Sequence, residues 1–141
     1  MAKKNNFWPK NAPKIETQIS AMKSLFPQFR AEKSSCGVTF IGNLQIKQEL
    51  PTYKVKVEYR GSCSPRVSVI SPQLVKGAPH LYKEGYLCLY YYENFHWTHS
   101  KLVAKEVMQW TCAWLYFYEY WLQTGEWVGP AVPHRGEKKQ E

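Results

Sequence analysis

The sequence predicts an α+β domain: an N-terminal helix, an antiparallel three- to four-stranded meander, a long irregular segment, then one long helix in the C-terminal half. Three observations predict it. Ile15, Ile19, Met22 and Phe26 recur at steps of four, three and four, which lays them on one helical face. YKVKVEYR, residues 53–60, alternates apolar and charged residues strictly, as a strand with one wet face does. Val103, Val107, Trp110, Trp114, Phe117 and Trp121 alternate steps of four and three, one apolar stripe along a long helix.

The elements follow in order. Residues 1–13 carry Pro9, Pro13 and several Lys and Asn and read as a basic flexible lead; residues 14–134 form the domain, and 135–141 a charged tail. Pro27 ends the first helix, because proline cannot donate the next helical hydrogen bond. Residues 37–41 (GVTFI) are a short β-branched strand, after which Gly42-Asn43 is expected to turn the chain. Gly61 to Pro65 reads as a second turn and Arg66 to Ile70 as a further strand. From 71 to 97 no period persists, and Pro72, Gly77, Pro79 and Gly85 punctuate the segment. Such a stretch inside a compact domain is functional or disordered, and its aromatic content argues against disorder. Thr98 or Ser100 is expected to cap the long helix, and Gly125 to close it.

At 141 residues the chain can bury a core without disulfide or metal staples. Aromatic residues make up 16%, with ten Tyr and six Trp, so large flat side chains must dominate the packing. The net charge of +8 permits acidic partners, but part of it is terminal: Lys3, Lys4, Lys10, Lys138 and Lys139. Four cysteines with no secretory signal point to reduced thiols in the cytoplasm. WTCAWLYFYEYWL, residues 110–122, is too short to cross a bilayer and contains Glu119, so no membrane association is expected.

The informative stretch is PHLYKEGYLCLYYYENFHW, residues 79–97. Cys88 sits between Leu87 and Leu89, three residues after Gly85, eight after His80 and nine before Trp97. A thiolate is both nucleophile and fair leaving group, which suits a residue that accepts and passes on an acyl group. On a loop such a cysteine is expected to stay reachable by a bulky partner, Leu87 and Leu89 anchoring the loop and turning the thiol outward. Glu84 and Glu93 are the candidate proton acceptors for an incoming amine.

These residues resemble the catalytic core of ubiquitin-conjugating (E2) enzymes, whose meander leads to a loop with a His-Pro-Asn tripeptide, Gly-x-x-Cys-Leu, a tryptophan and a helix. Phe40-Ile41-Gly42 looks like the end of their first strand and its turn, 53–59 and 66–72 like the next strands. His80 stands where the tripeptide's histidine would, Gly85-Tyr86-Leu87-Cys88-Leu89 matches the active-site signature, and Trp97 the tryptophan that follows. HLYKEGYLCLYY, WLYFYEYWLQTGEW and GPAVPH look more specifically like the stand-alone E2-like proteins of CBASS antiphage operons, over roughly residues 36–134. The resemblance implies an E2 fold and a Cys88 thioester, or thioester-like link, with the C-terminus of a cGAS-like nucleotidyltransferase, which is thereby primed for signalling. It adds an E1-like activating protein in trans as a further candidate partner. The tripeptide here reads His80-Leu81-Tyr82, without the asparagine that stabilises the oxyanion. Tyr82 is the expected substitute donor, and His80 is expected to fix the loop by hydrogen bonding. Transfer to lysine, which leans on that asparagine, is implied less directly than thioester formation.

Plainer readings stand beside this one. Cysteine is among the most buried residue types, so Cys88 could be core filling. Cys36 and Cys63, in turn or strand-edge contexts, are expected to be inert, and Cys112 to be structural, facing away from the helix stripe. Cys88, His96, His99 and Cys112 have the spacing Cys-x7-His-x2-His-x12-Cys, which matches no common metal-ligand pattern. His134 reads as a surface residue. No motif implies a cofactor, and no Gly-rich nucleotide loop is present. The alternatives are a non-catalytic E2-like adaptor for the nucleotidyltransferase and, less favoured, a nucleic-acid surface built on Tyr53, Lys54, Lys56, Tyr59 and Arg60. A cysteine protease would rest on His80 and Cys88 alone, without the helix expected to carry its nucleophile.

Overall fold

A computed structural model describes residues 15–35, 37–89 and 96–130. The lead 1–13, the tail 135–141, Cys36, Glu93 and His134 lie outside the described residues. The chain runs through helix α1 (Ile15–Leu25), strands β1 (Arg30–Ser34), β2 (Gly37–Leu44), β3 (Tyr53–Arg60) and β4 (Cys63–Ser71), and helix α2 (Met108–Thr124). The strands form one antiparallel sheet in the order β1-β2-β3-β4.

Alternation in β2 and β3 builds the core. Val38 pairs with Tyr59, Phe40 with Val57 and Leu44 with Tyr53, and all six are buried. Val57 in turn faces Val67 of β4 across the next ladder. The same alternation corrects the aromatic half of the nucleic-acid reading. Tyr53 and Tyr59 are 2% and 1% exposed, so the wet face of β3 carries Lys54, Lys56 and Arg60 without a stacking platform.

One expected turn fails, a second is shorter than expected, and one strand was not foreseen. Strand β4 begins at Cys63 rather than Arg66, so the turn after β3 is confined to residues 61–62. Gly42-Asn43 does not turn: β2 continues to Leu44, with Gly42 opposite Val55. Glycine is there for close approach, since a Cβ at 42 would lie 2.6 Å from the Phe29 ring. The fourth strand, β1, has no apolar alternation because all five of its residues are exposed. Its Arg, Glu and Lys side chains are what keeps an edge strand from pairing with other chains.

Helix α2 begins later than expected. Thr98 and Ser100 hydrogen-bond to each other at 2.9 Å, and neither caps a helix. The first turn is instead a π-helical segment, Val103–Val107, running into α2. Its first N–H is satisfied from α1. The buried Gln18 side chain donates to the Lys101 carbonyl (3.0 Å) and accepts from the Val103 N–H (3.0 Å). Gly125, with φ 79°, closes α2, its N–H bonded to the Trp121 carbonyl.

The expected stripe resolves into two faces. Met108, Thr111, Leu115 and Tyr118 are buried in the core, and Tyr53 meets Tyr118 edge-on at 6.3 Å. Val103, Val107 and Trp114 are buried as expected, whereas Trp110, Phe117 and Trp121 are half-buried. Trp110, Ala113, Trp114 and Phe117, spaced at three, one and three, form a second face turned toward the loop that carries Cys88. Among the described residues no helix is long and apolar enough to cross a membrane.

Candidate functional site around Cys88

The segment after β4 stays irregular to residue 89 but is closely bonded. Residues 80–88 fold back on themselves around a Leu81–Leu87 bridge. The Tyr82 N–H donates to the Tyr86 carbonyl (2.8 Å), and the Gly85 N–H to the Tyr82 carbonyl (2.8 Å). Gly85 has φ 93°, a conformation that side chains resist, which is why glycine occupies this turn. The Leu87 N–H reaches the Val67 carbonyl (2.8 Å) and moors the loop to β4. Outside the turn, the Arg66 guanidinium lies 4.9 Å over the Tyr86 ring.

Cys88 is placed by His80. Its N–H donates to the His80 carbonyl at 2.9 Å, and the same carbonyl accepts the Trp114 indole N–H of α2 at 3.1 Å. His80 is the one non-glycine residue with positive φ among the described residues, at 58°. Holding such a residue there costs roughly 1–3 kcal/mol, which the surrounding bonds must offset. Its imidazole rests against Trp127, with ring centroids 4.8 Å apart.

The thiol is not turned outward as expected. Cys88 is 2% exposed and lines a narrow cleft between its loop, α2 and the segment after it. His80 and Leu89 stand on one side, Trp110, Trp114 and Phe117 on another, and Trp127 and Pro130 on a third. The cleft's free volume, about 20 Å³, holds about one water. Leu87, 4% exposed, anchors the loop in the core, while Leu89 is half-buried.

The other residues singled out in the sequence lie elsewhere. Tyr82 is 41% exposed at the turn and is not among the lining residues of the cleft. Trp97 packs edge-on against Tyr59 at 6.1 Å and donates to the Gly61 carbonyl (3.0 Å), away from the cleft. Cys63 is exposed, and Cys112 is half-buried, where desolvation pushes its thiol pKa up. Among the described residues no three His, Cys, Asp or Glu side chains are grouped so as to hold a metal ion. The aromatic wall was not foreseen. Its signal was the 110-113-114-117 spacing, which read as part of one core stripe.

A four-stranded antiparallel meander with a helix before it and a long helix after it, and a cysteine-bearing loop crossing between sheet and second helix, is consistent with an E2-like fold. A family profile described as Type II CBASS E2 protein matches residues 18–135, and the chain belongs to that family. Its role therefore lies in CBASS antiphage defence. No curated protein matches the chain.

Proposed function

We propose that Cys88 takes the C-terminal carboxyl group of a partner protein as a thioester, and that this partner is the cGAS-like nucleotidyltransferase, primed for signalling by the link. The observation that carries this reading is the placement of Cys88 on the wall of a cleft, beside His80, in a member of an E2 family. The acyl donor is the partner's C-terminus activated beforehand, as an acyl adenylate or as a thioester on an E1-like protein. The Cys88 thiolate attacks the carbonyl carbon. A C–S bond forms, the bond to AMP or to the donor thiolate breaks, and the leaving group departs with the electron pair. The thiol's own proton has gone to solvent beforehand. Hydrolysis or aminolysis later breaks the new C–S bond and returns the thiolate. His80 sets the position of the Cys88 backbone through its carbonyl, with Leu87 as the loop's anchor. Burial restricts entry, so the cleft admits a slender chain end and only when its walls part.

The same burial favours a second reading, a non-catalytic adaptor in which Cys88 is a packed remnant of the E2 fold. A pull-down from cells carrying the native operon separates the two, comparing wild type with Cys88→Ala and Cys88→Ser on denaturing gels, with and without reductant. The acyl-acceptor reading expects a heavier species that thiol reductant removes, that Cys88→Ala lacks, and that Cys88→Ser keeps as a reductant-resistant ester. Mass spectrometry distinguishes the thioester from a disulfide. Equal capture of the same partner by all three variants, with no heavier species, establishes the adaptor.

A further inference from the structure

We propose that the indole N–H of Trp127 is the donor that stabilises the acyl oxyanion at Cys88, in the place of the asparagine missing from His80-Leu81-Tyr82. The inference rests on Cys88 being an acyl acceptor. It starts from an orphan: Trp127 Nε1 is buried and has no hydrogen-bond partner among the described residues. A buried donor left unpaired is costly, and native structures rarely keep one without a reason. This orphan belongs to a residue that lines the same cleft as Cys88. Two other described indoles are committed: Trp114 donates to the His80 carbonyl and Trp97 to the Gly61 carbonyl.

The donor is also held in place. The Trp127 ring lies 4.8 Å from His80, 5.5 Å from Trp114 and 5.9 Å from Phe117, centroid to centroid, so it is clamped by the loop on one side and α2 on the other. A fixed donor in a narrow site with room for about one water, rather than in bulk solvent, is what stabilises charge developing on a carbonyl oxygen. Tyr82 offers a hydroxyl instead, but from an exposed turn, where water competes for it. The chemistry needs nothing from Trp127 except that bond. When the thiolate adds to the carbonyl carbon, the oxygen takes up negative charge and the indole N–H donates to it. When the tetrahedral species collapses, the charge returns to the carbonyl and the leaving group departs with its electron pair. The indole keeps its proton throughout.

The test uses the full chain and a small acyl donor, the acetyl thioester of N-acetylcysteamine, isotope-labelled at the carbonyl. Exchange moves the acetyl group to Cys88 and releases N-acetylcysteamine thiolate. Mass spectrometry follows acetylation at Cys88, with Cys88→Ala as the background. Trp127→Phe, which keeps a ring and removes the donor, should slow acetylation of Cys88 about 10²-fold. It should shift the thioester carbonyl stretch to higher frequency and leave the melting temperature unchanged or raised. Wild-type rate and frequency in Trp127→Phe would overturn the assignment, as would failure of Cys88 to acetylate in the wild type. If Trp127→Phe melts lower than wild type, the wild-type thioester decides. Its carbonyl stretch should lie below that of the same thioester in an apolar solvent, and an unlowered stretch overturns the assignment. The result is separable from the reading beneath it. Slowed acetylation with no partner conjugate in cells removes the nucleotidyltransferase link and keeps the donor; a conjugate formed equally by Trp127→Phe does the reverse.

Discussion

In the sheet, Val38, Phe40, Val55, Val57 and Val67 interlock at 1% exposure or less, so no single side chain decides where a strand runs. Around Cys88 the position of the backbone hangs on a few individual bonds: Leu87 to Val67, Cys88 to His80, and Trp114 to the same His80 carbonyl. Stability in the first region is distributed over area, and geometry in the second is concentrated in named hydrogen bonds. Substitutions in the sheet should therefore cost stability and leave the loop's chemistry intact until the fold fails. Substitutions around the loop should cost chemistry out of proportion to stability.

The largest effect expected is Phe40→Ala. Phe40 is fully buried between its neighbours on β2 and β3, and deleting such a side chain leaves both lost transfer energy and a cavity. Urea denaturation should show a loss of about 3–5 kcal/mol. At concentrations where the variant remains folded, Cys88 acylation should proceed near the wild-type rate. A loss under about 1 kcal/mol would mean that the core tolerates collapse there and that the contrast is overdrawn.

Next comes a polar contact inside the core. The Tyr53 hydroxyl donates to the Glu119 carboxyl group, and both residues are buried. Burial first, then that hydrogen bond and the nearby Glu119 charge, raise the Tyr53 pKa well above its ordinary 10.0. The sign follows directly. Above about pH 10 the unfolded chain releases this proton before the folded one does, so it binds fewer protons and stability falls as pH rises. Tyr53→Phe leaves the Glu119 oxygen without its donor and should cost roughly 1–3 kcal/mol at neutral pH. It should also flatten the alkaline decline, leaving the part due to Tyr59, whose pKa burial also raises. An unchanged alkaline slope in denaturation at successive pH values would remove Tyr53 as its source.

What was legible in the sequence follows the same division. The alternation in 53–60 marked β3 at its true ends because its apolar positions are all buried while the charged ones between them are half-buried or exposed. The α1 spacing was as clear. β1 was invisible because an edge strand with every side chain exposed carries no hydrophobic period. The start of the long helix was misplaced because its leading π-helical segment has its first N–H, that of Val103, bonded to Gln18, 85 residues away, rather than to a local cap. At the site, the Gly-x-x-Cys spacing located the loop, but the burial of Cys88 depends on an aromatic wall supplied by α2 and Trp127. No local pattern at 79–89 encodes that wall. Tyr82 was chosen because it stands at the tripeptide position of the missing asparagine, whereas Trp127 is near Cys88 only in the fold.

A smaller stability effect, and the one that sharpens the comparison most, is expected from Trp114→Phe. Trp114 is buried between the core and the cleft, stacking on Tyr118 at 5.3 Å while its N–H holds the His80 carbonyl. Phenylalanine keeps most of the apolar contact and removes the bond. The His80 carbonyl still accepts from Cys88, so no buried acceptor is orphaned and the cost should be only about 1 kcal/mol. The loop, however, loses this hydrogen bond between His80 and α2. His80 sits at a positive φ that it keeps only while its surroundings enforce it, so its release should shift Cys88 relative to Trp127. Misplacement of reacting groups by an ångström is costly in rate. Acylation of Cys88 should slow by roughly 10-fold or more, well beyond what the stability change alone would give. Equal rates in wild type and Trp114→Phe would show that the Leu87–Val67 mooring positions the thiol by itself, and that the loop shares the sheet's redundancy after all.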